Sequence, residues 1–141
     1  MPRALDHFLT VAVNAQPARF VARSTAQKGA KAWLYQFARR PDTALGRELG
    51  AHHGVDIAYV FGNIEKDQGY DRTDRAISNQ IMAYWVNFAA TGDPNGEGLI
   101  KWPPYDAEHD WYLEFSDTVA VKQHLYQEEC DFISRMSRYL P

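Results

Sequence analysis

The chain has 141 residues, a length typical of one domain and sufficient to bury a hydrophobic core. Its net charge of -3 at pH 7 argues against nucleic-acid binding, and no apolar run is long enough to span a membrane. The single cysteine, Cys130, excludes an internal disulfide and a cysteine-rich zinc site.

The first segment, residues 1–18, contains a short apolar stretch that could be mistaken for a signal peptide. Asp6 and His7 precede that stretch, and Asn14 and Gln16 interrupt the residues that follow it. This pattern disfavours a signal peptide and leaves the localisation of the protein open.

The next residues predict a helix followed by a strand. A cap at Asn14 and a stop at Gly29 bound a helix over residues 14–28. Residues 31–38 are rich in aromatic and large apolar side chains, and the segment is short enough to be a buried strand. The polar segment 39–50 carries one proline and two glycines and is predicted to be a loop. Helix, turn and strand in this order indicate an α/β unit.

The strongest helix pattern covers residues 71–92. Asp71 or Thr73 would begin this helix, and Gly92 would end it. One apolar stripe is predicted to face a core, at Ile77, Ile81, Trp85, Phe88 and Ala89. Residues 92–106, which follow, are predicted to form a turn and then a rigid extended stretch.

Two further elements are predicted after residue 106. Residues 110–115 have the composition of a strand, with a turn at Ser116 and Asp117 behind it. Residues 123–139 have the pattern of an amphipathic helix with these side chains inward: Leu125, Phe132, Ile133 and Met136. The predicted fold class is α/β, with two or three strands packed with three main helices. So few strands make a small sheet for an α/β domain.

The segment GAHHGVDIAYVFGN, residues 50–63, contains two adjacent histidines between glycines. A histidine can accept and return a proton because its pKa lies near neutrality. Gly54 lets the backbone approach other groups closely, which makes His53 the best candidate for a general base. The residues alone also allow the ordinary interpretation, in which His52 and His53 are a polar loop pair. Asp56 could cap the following helix or support the histidine loop.

Other catalytic chemistries have less support. A metal site built on two of the histidines would be expected to show a His-x-x-x-His or Cys-x-x-Cys spacing, and neither spacing occurs. None of the serines lies in a Gly-x-Ser-x-Gly elbow, the strained turn that exposes a nucleophile. The acidic neighbours of Cys130 would raise its pKa and make it a poor thiolate. We therefore predict no metal and no cofactor, and the residues offer a base without a nucleophile.

Several segments, in family order, resemble the C-terminal part of the type-B carboxylesterases, the cholinesterase-like branch of the α/β-hydrolases. The most specific are the His-Gly-x-Asp/Glu segment that ends in Val-Phe-Gly, at residues 53–62, and WVNFAATGDPN, at residues 85–95. Shorter matches are AWLYQF, WPPYD, YLEF and CDF. The resemblance assigns residues 14–141 to the C-terminal part of the carboxylesterase domain, and residues 1–13 match the family poorly.

The resemblance implies roles for two residues. In this family the histidine of the His-Gly-x-Asp/Glu segment is the general base of the catalytic triad, and it aligns with His53 and not with His52. His53 would take the proton from a serine that attacks an ester carbonyl and return it to the departing alcohol. Asp56 matches the acidic position three residues later, where the resemblance implies a supporting role.

The resemblance also implies what these residues lack. The serine nucleophile, the triad acid and the glycine-rich oxyanion loop belong to family sequence upstream of the matching part. The implied function is therefore the C-terminal segment of a serine esterase that acts on small-molecule carboxylic esters and is inactive alone. In secreted relatives a cysteine near Gln16 pairs with the one aligned with Cys130. Gln16 cannot form that bond, so Cys130 is expected to be buried and unpaired.

Two alternatives stay open. The chain could be a non-catalytic interaction module, or it could combine with a second polypeptide to reconstitute an esterase. An exposed sheet edge and the apolar stripe within residues 77–89 would favour self-association.

Overall fold

The computed structural model describes residues 3–65 and 68–136, apart from the side chains of Arg3 and Asp6. In chain order, its elements are α1 (Arg3–Leu9), a π-helical segment (Thr10–Ala15), α2 (Gln16–Gln27), β1 (Tyr35–Phe37), α3 (Ala44–Leu49), α4 (Asp56–Val60), α5 (Arg72–Thr91), β2 (Trp111–Phe115), β3 (Val119–Gln123) and α6 (Gln127–Met136). Helices and a small three-stranded sheet confirm the α/β class. The predicted end of the last helix, residues 137–139, lies outside the described residues.

Internal contacts divide the chain into two compact units. The first contains the residues up to Leu34, residues 103–112 and the residues from Lys122 onward. The second contains residues 35–102 and 113–121. The predicted histidine loop therefore belongs to the second unit.

The first unit begins with one helical stretch formed by α1, the π-helical segment and α2. A helix start at Asn14 was wrong, because Asn14 lies inside the π-helical segment that connects α1 to α2. Val11 and Ala15 are buried in a cluster with Cys130 of α6. Packing of this apolar side, and not a cap at Asn14, keeps the residues upstream helical.

A second cluster forms the larger core of the first unit. It is built from Ala22, Leu34, Tyr105, Tyr112 and Leu125. The predicted burial of Leu125 is confirmed, although this residue lies just before α6. On α6 itself, Phe132 and Met136 are exposed, so their predicted inward orientation was wrong. The described part of the helix has ten residues, and Cys130 is its buried position.

The sheet has the strand order β1-β2-β3. β1 is parallel to β2, with Tyr35 opposite Leu113 and Phe37 opposite Phe115. The strand predicted over residues 31–38 is reduced to three residues. Beyond it, the amides of Ala38 and Arg39 both donate to the carbonyl of Phe115, which ends the regular ladder.

Helix α5 begins and ends almost where the sequence predicts. The Asp71 carboxylate accepts from the Asp74 amide at 2.9 Å, and the Asp74 carboxylate accepts from the Asp71 amide at 2.8 Å. This reciprocal capping box satisfies two amides that have no partner within the helix. Gly92 ends the helix in a left-handed conformation, with φ 76°.

The buried side of α5 differs from the predicted stripe. Ile77 and Ile81 are buried as predicted, but the next fully buried position is Tyr84. Phe88, predicted to face a core, has 51% of its surface exposed.

The predicted loop over residues 39–50 is also wrong in part, because α3 forms inside it with Thr43 as its cap.

Candidate active-site histidine loop

The histidines lie in the turn that leads into α4. The amide of Val55 donates to the carbonyl of His52 at 3.1 Å, and that of Ile57 donates to the carbonyl of Gly54 at 3.2 Å. Gly54 has φ +84°, a conformation that strains residues with side chains. The chain therefore reverses sharply just after His53 and continues into the helix without a break in hydrogen bonding.

The two histidine side chains have different surroundings. His52 is half-buried, and its Nδ1 lies 3.2 Å from the carbonyl oxygen of Gly50. His53 is exposed, and its imidazole makes no hydrogen bond within residues 3–65 and 68–136. The His53 imidazole is thus the one available to a group supplied from outside these residues.

Asp56 is held by a tyrosine from the sheet. The hydroxyl of Tyr35, on β1, donates to Asp56 Oδ2 at 2.8 Å. Burial, together with the neighbouring carboxylate, raises the pKa of Tyr35, so its hydroxyl stays protonated and remains a donor. A capping role for Asp56 was wrong, because Val55 is the N-cap of α4 and makes no side-chain capping bond.

The other end of α4 is attached to α5. Tyr59 is fully buried, and its hydroxyl donates to Asp74 Oδ1 at 2.7 Å. The hydroxyl of Ser78 donates to the Tyr59 carbonyl at 2.7 Å. Arg39 Nε donates to Asp74 Oδ1 at 2.7 Å and supplies the opposite charge. Together with the bond between Tyr35 and Asp56, these contacts hold both ends of α4 against the rest of the second unit.

The Arg39–Asp74 pair was not predicted from the sequence. Burial alone would raise the pKa of Asp74, but hydrogen bonds from Arg39, the Asp71 amide and Tyr59 outweigh it and lower that pKa. Asp71 was predicted as a possible start of α5, but no role was predicted for Asp74. Nothing near Arg39 indicated its partner, which lies 35 positions away.

Cys130 belongs to the first unit, whereas the histidine loop belongs to the second. It is a free thiol and is buried, as predicted. Burial is the main cause that raises its pKa, Arg19 opposes that effect, and the acidic neighbours Asp131 and Glu129 add to it. A protonated, buried thiol is a poor nucleophile.

Among the described residues, no group of three or more His, Cys, Asp or Glu side chains is arranged to hold a metal ion. In the same part of the chain, no helix has both the length and the apolar character needed to cross a membrane.

A family model described as the carboxylesterase family matches residues 2–133. The chain belongs to the carboxylesterase family. Carboxylesterase 1C of Mus musculus is 35% identical to it over 119 residues, which cover 82% of this chain and 21% of the relative. Acetylcholinesterase of Gallus gallus is 37% identical over 129 residues, which cover 89% of this chain and 16% of the relative.

A third relative is also named as a hydrolase. The medium-chain fatty acyl-CoA hydrolase precursor of Anas platyrhynchos is 33% identical over 123 residues, which cover 85% of this chain and 22% of the relative. This carboxylesterase-family chain therefore spans about a fifth of the length of the curated relatives it matches. Family membership establishes the class of chemistry, ester hydrolysis, for the family as a whole.

Proposed function

We propose that this carboxylesterase-family segment supplies the general base of a serine esterase acting on small-molecule carboxylic esters, with His53 as that base. One observation carries the proposal. His53 is exposed in the turn before α4, while Asp56 and Tyr59 attach that helix to the unit by hydrogen bonds. An imidazole on a fixed support, open to an incoming group, is the arrangement that general-base catalysis needs.

The proposed chemistry is a proton transfer in two directions. His53 takes the proton from a serine hydroxyl as that oxygen attacks the ester carbonyl, then gives it to the alcohol that leaves. Asp56 supports the loop and does not act as the triad acid. The serine, the acid and the oxyanion donors come from carboxylesterase residues outside this chain.

A chimeric enzyme tests the role of His53. The part of Carboxylesterase 1C of Mus musculus that aligns with this chain is replaced by the corresponding residues of this chain. We expect the chimera to hydrolyse short-chain esters, and His53→Ala to lower kcat by roughly 10³-fold or more. His52→Ala is the matched control and should stay active. If only His52→Ala lost activity, His53 would be the wrong choice of base.

The isolated 141-residue chain is the second test. A serine-reactive fluorophosphonate probe should leave it unlabelled, because no serine here lies in a nucleophile elbow. Labelling of a serine in the isolated chain would contradict the proposal that the nucleophile is supplied from outside.

A non-catalytic interaction module is the second candidate function. It is favoured by exposed apolar side chains on the first helical stretch, including Val13, Phe20 and Val21. Sedimentation over a concentration series separates the two candidates. An assembly of one fixed stoichiometry would support an interaction role, whereas open-ended association or a monomer at all concentrations would count against it.

A further inference from the structure

The two ends of α4 are held by separate contacts. Its first residue, Asp56, is bound by Tyr35 from the sheet, and Tyr59 near its end is bound by Asp74 and Ser78 from α5. Removal of one contact therefore leaves the other in place. The end next to His53 can be loosened without detaching the helix.

Tyr35 is a rigid donor. Its backbone lies in β1, paired with Leu113 of β2. Its ring makes edge-to-face contacts with Trp85 and Phe115, at centroid distances of 5.2 and 6.1 Å, and with Trp102 at 6.4 Å. Because strand and ring contacts both hold this side chain, its hydroxyl occupies one place relative to the sheet.

The position of Asp56 determines that of His53. They are three positions apart in the chain, and the turn between them is closed by the bonds from Val55 to His52 and from Ile57 to Gly54. A shift of the carboxylate therefore moves the histidine backbone with it. In general-base catalysis a misplacement of about 1 Å can cost roughly a hundredfold in rate.

We infer that Tyr35 is a positioning residue for the catalytic base: its hydroxyl, through Asp56, sets where the His53 imidazole stands. This inference rests on the proposed function of His53. Tyr35 does not touch substrate or the serine, and it acts through the carboxylate that it binds.

The first test uses the 141-residue chain and needs no activity. Tyr35→Phe keeps the ring and removes the hydroxyl. Amide hydrogen exchange at Val55 and Ile57 should become about tenfold faster, the factor expected for loss of one hydrogen bond of ordinary net strength. Exchange at Asn63, whose amide donates to the Ala58 carbonyl at 2.8 Å beyond the second anchor, should stay unchanged.

Tyr84→Phe is the matched control for hydroxyl deletion. Its hydroxyl donates at 2.6 Å to the carbonyl of Ile100, which belongs to the second unit but not to α4. This variant should leave exchange at Val55 and Ile57 unchanged. Unchanged exchange at these amides in Tyr35→Phe, or the same acceleration in both variants, would overturn the inference.

The second test uses the chimeric enzyme. Tyr35→Phe should lower kcat about tenfold and leave KM within about twofold, because the base is misplaced while ester binding is not. Asp56→Asn keeps an oxygen acceptor for Tyr35, so it should lose less activity than Asp56→Ala. Tyr84→Phe should keep its kcat.

The outcomes separate the two ideas. If His53→Ala is inactive while Tyr35→Phe has normal kcat, the positioning role is wrong and the base stands. If His53→Ala remains active, the proposed function itself is wrong, and this inference falls with it. Equal losses for Asp56→Asn and Asp56→Ala would also contradict the hydrogen-bonded link.

Discussion

At the level of single residues, each unit buries an ion pair. In the first, Arg19 Nε donates to Asp110 Oδ1 at 3.3 Å, and both side chains are almost fully buried. In the second, Arg39 pairs with the fully buried Asp74. Such pairs add little net stability over apolar packing, but removal of one partner leaves an uncompensated charge inside the protein.

Asp110→Asn should therefore destabilise the chain strongly. We expect the free energy of unfolding to fall by about 3 kcal/mol, because Arg19 would lose its buried counter-ion. Asparagine tolerates the left-handed backbone of Asp110, whose φ is 51°, so the change removes mainly charge. Asp42→Asn is the control, since the Asp42–Arg47 pair is exposed and should cost less than about 1 kcal/mol. Urea unfolding measures both, and equal losses would contradict this account.

Asp74 should make stability depend on acid pH. Its pKa is lowered in the folded protein, so its contribution is present above the unfolded value of about 3.9 and is lost as pH falls through the folded value. The difference in unfolding free energy between wild type and Asp74→Asn should be constant from about pH 7 to 5 and shrink below about pH 4. Asp117→Asn, at an exposed position, should show a much smaller change. If the difference in unfolding free energy between wild type and Asp74→Asn did not shrink in acid, the predicted linkage would be excluded.

At the level of elements, local signals and packing decided different features. The caps of α5 were predicted because Asp71 and Gly92 act on backbone groups close to them in sequence. The buried side of the same helix depended on partners elsewhere in the unit, so Phe88 was placed wrongly. The same reason explains α6, where Phe132 and Met136 have the spacing of a buried face but are exposed.

Gly92→Ala tests the cap of α5. Apart from the adjacent residues of the chain, no atom lies within 4 Å of the position that a Cβ would take, so the cost should come from the left-handed backbone alone, about 1 kcal/mol. Gly92→Asn should cost less, because asparagine accepts this conformation better. Thermal unfolding followed by circular dichroism would measure both. Equal costs for the two variants would point to a cause other than backbone conformation.

At the level of the whole molecule, the first helical stretch has apolar residues on two sides. Val11 and Ala15 are buried, whereas Val13, Phe20 and Val21 are each at least 60% exposed. Exposed apolar residues of this kind mark a surface on which another protein surface can pack.

In the isolated chain this face should drive self-association. Phe20→Lys should lower the weight-average sedimentation coefficient at high concentration, because it places a charge in the exposed apolar surface. Gln27→Lys adds the same charge on the same helix at an exposed polar position and should leave association unchanged. If both variants behave like wild type, association depends on another surface, such as the predicted sheet edge.

By itself, the sequence determined the α/β class, the limits of α5 and the family, because these depend on local backbone chemistry and on residues that match in order. It also distinguished His53 from His52 as the predicted base. Only the tertiary structure decided which surfaces are covered and which groups hold the histidine loop. Tyr35 and Asp56 lie 21 positions apart, and Arg39 and Asp74 lie 35 apart. No periodicity or local propensity links such residues, since only the folded chain brings them within hydrogen-bond distance.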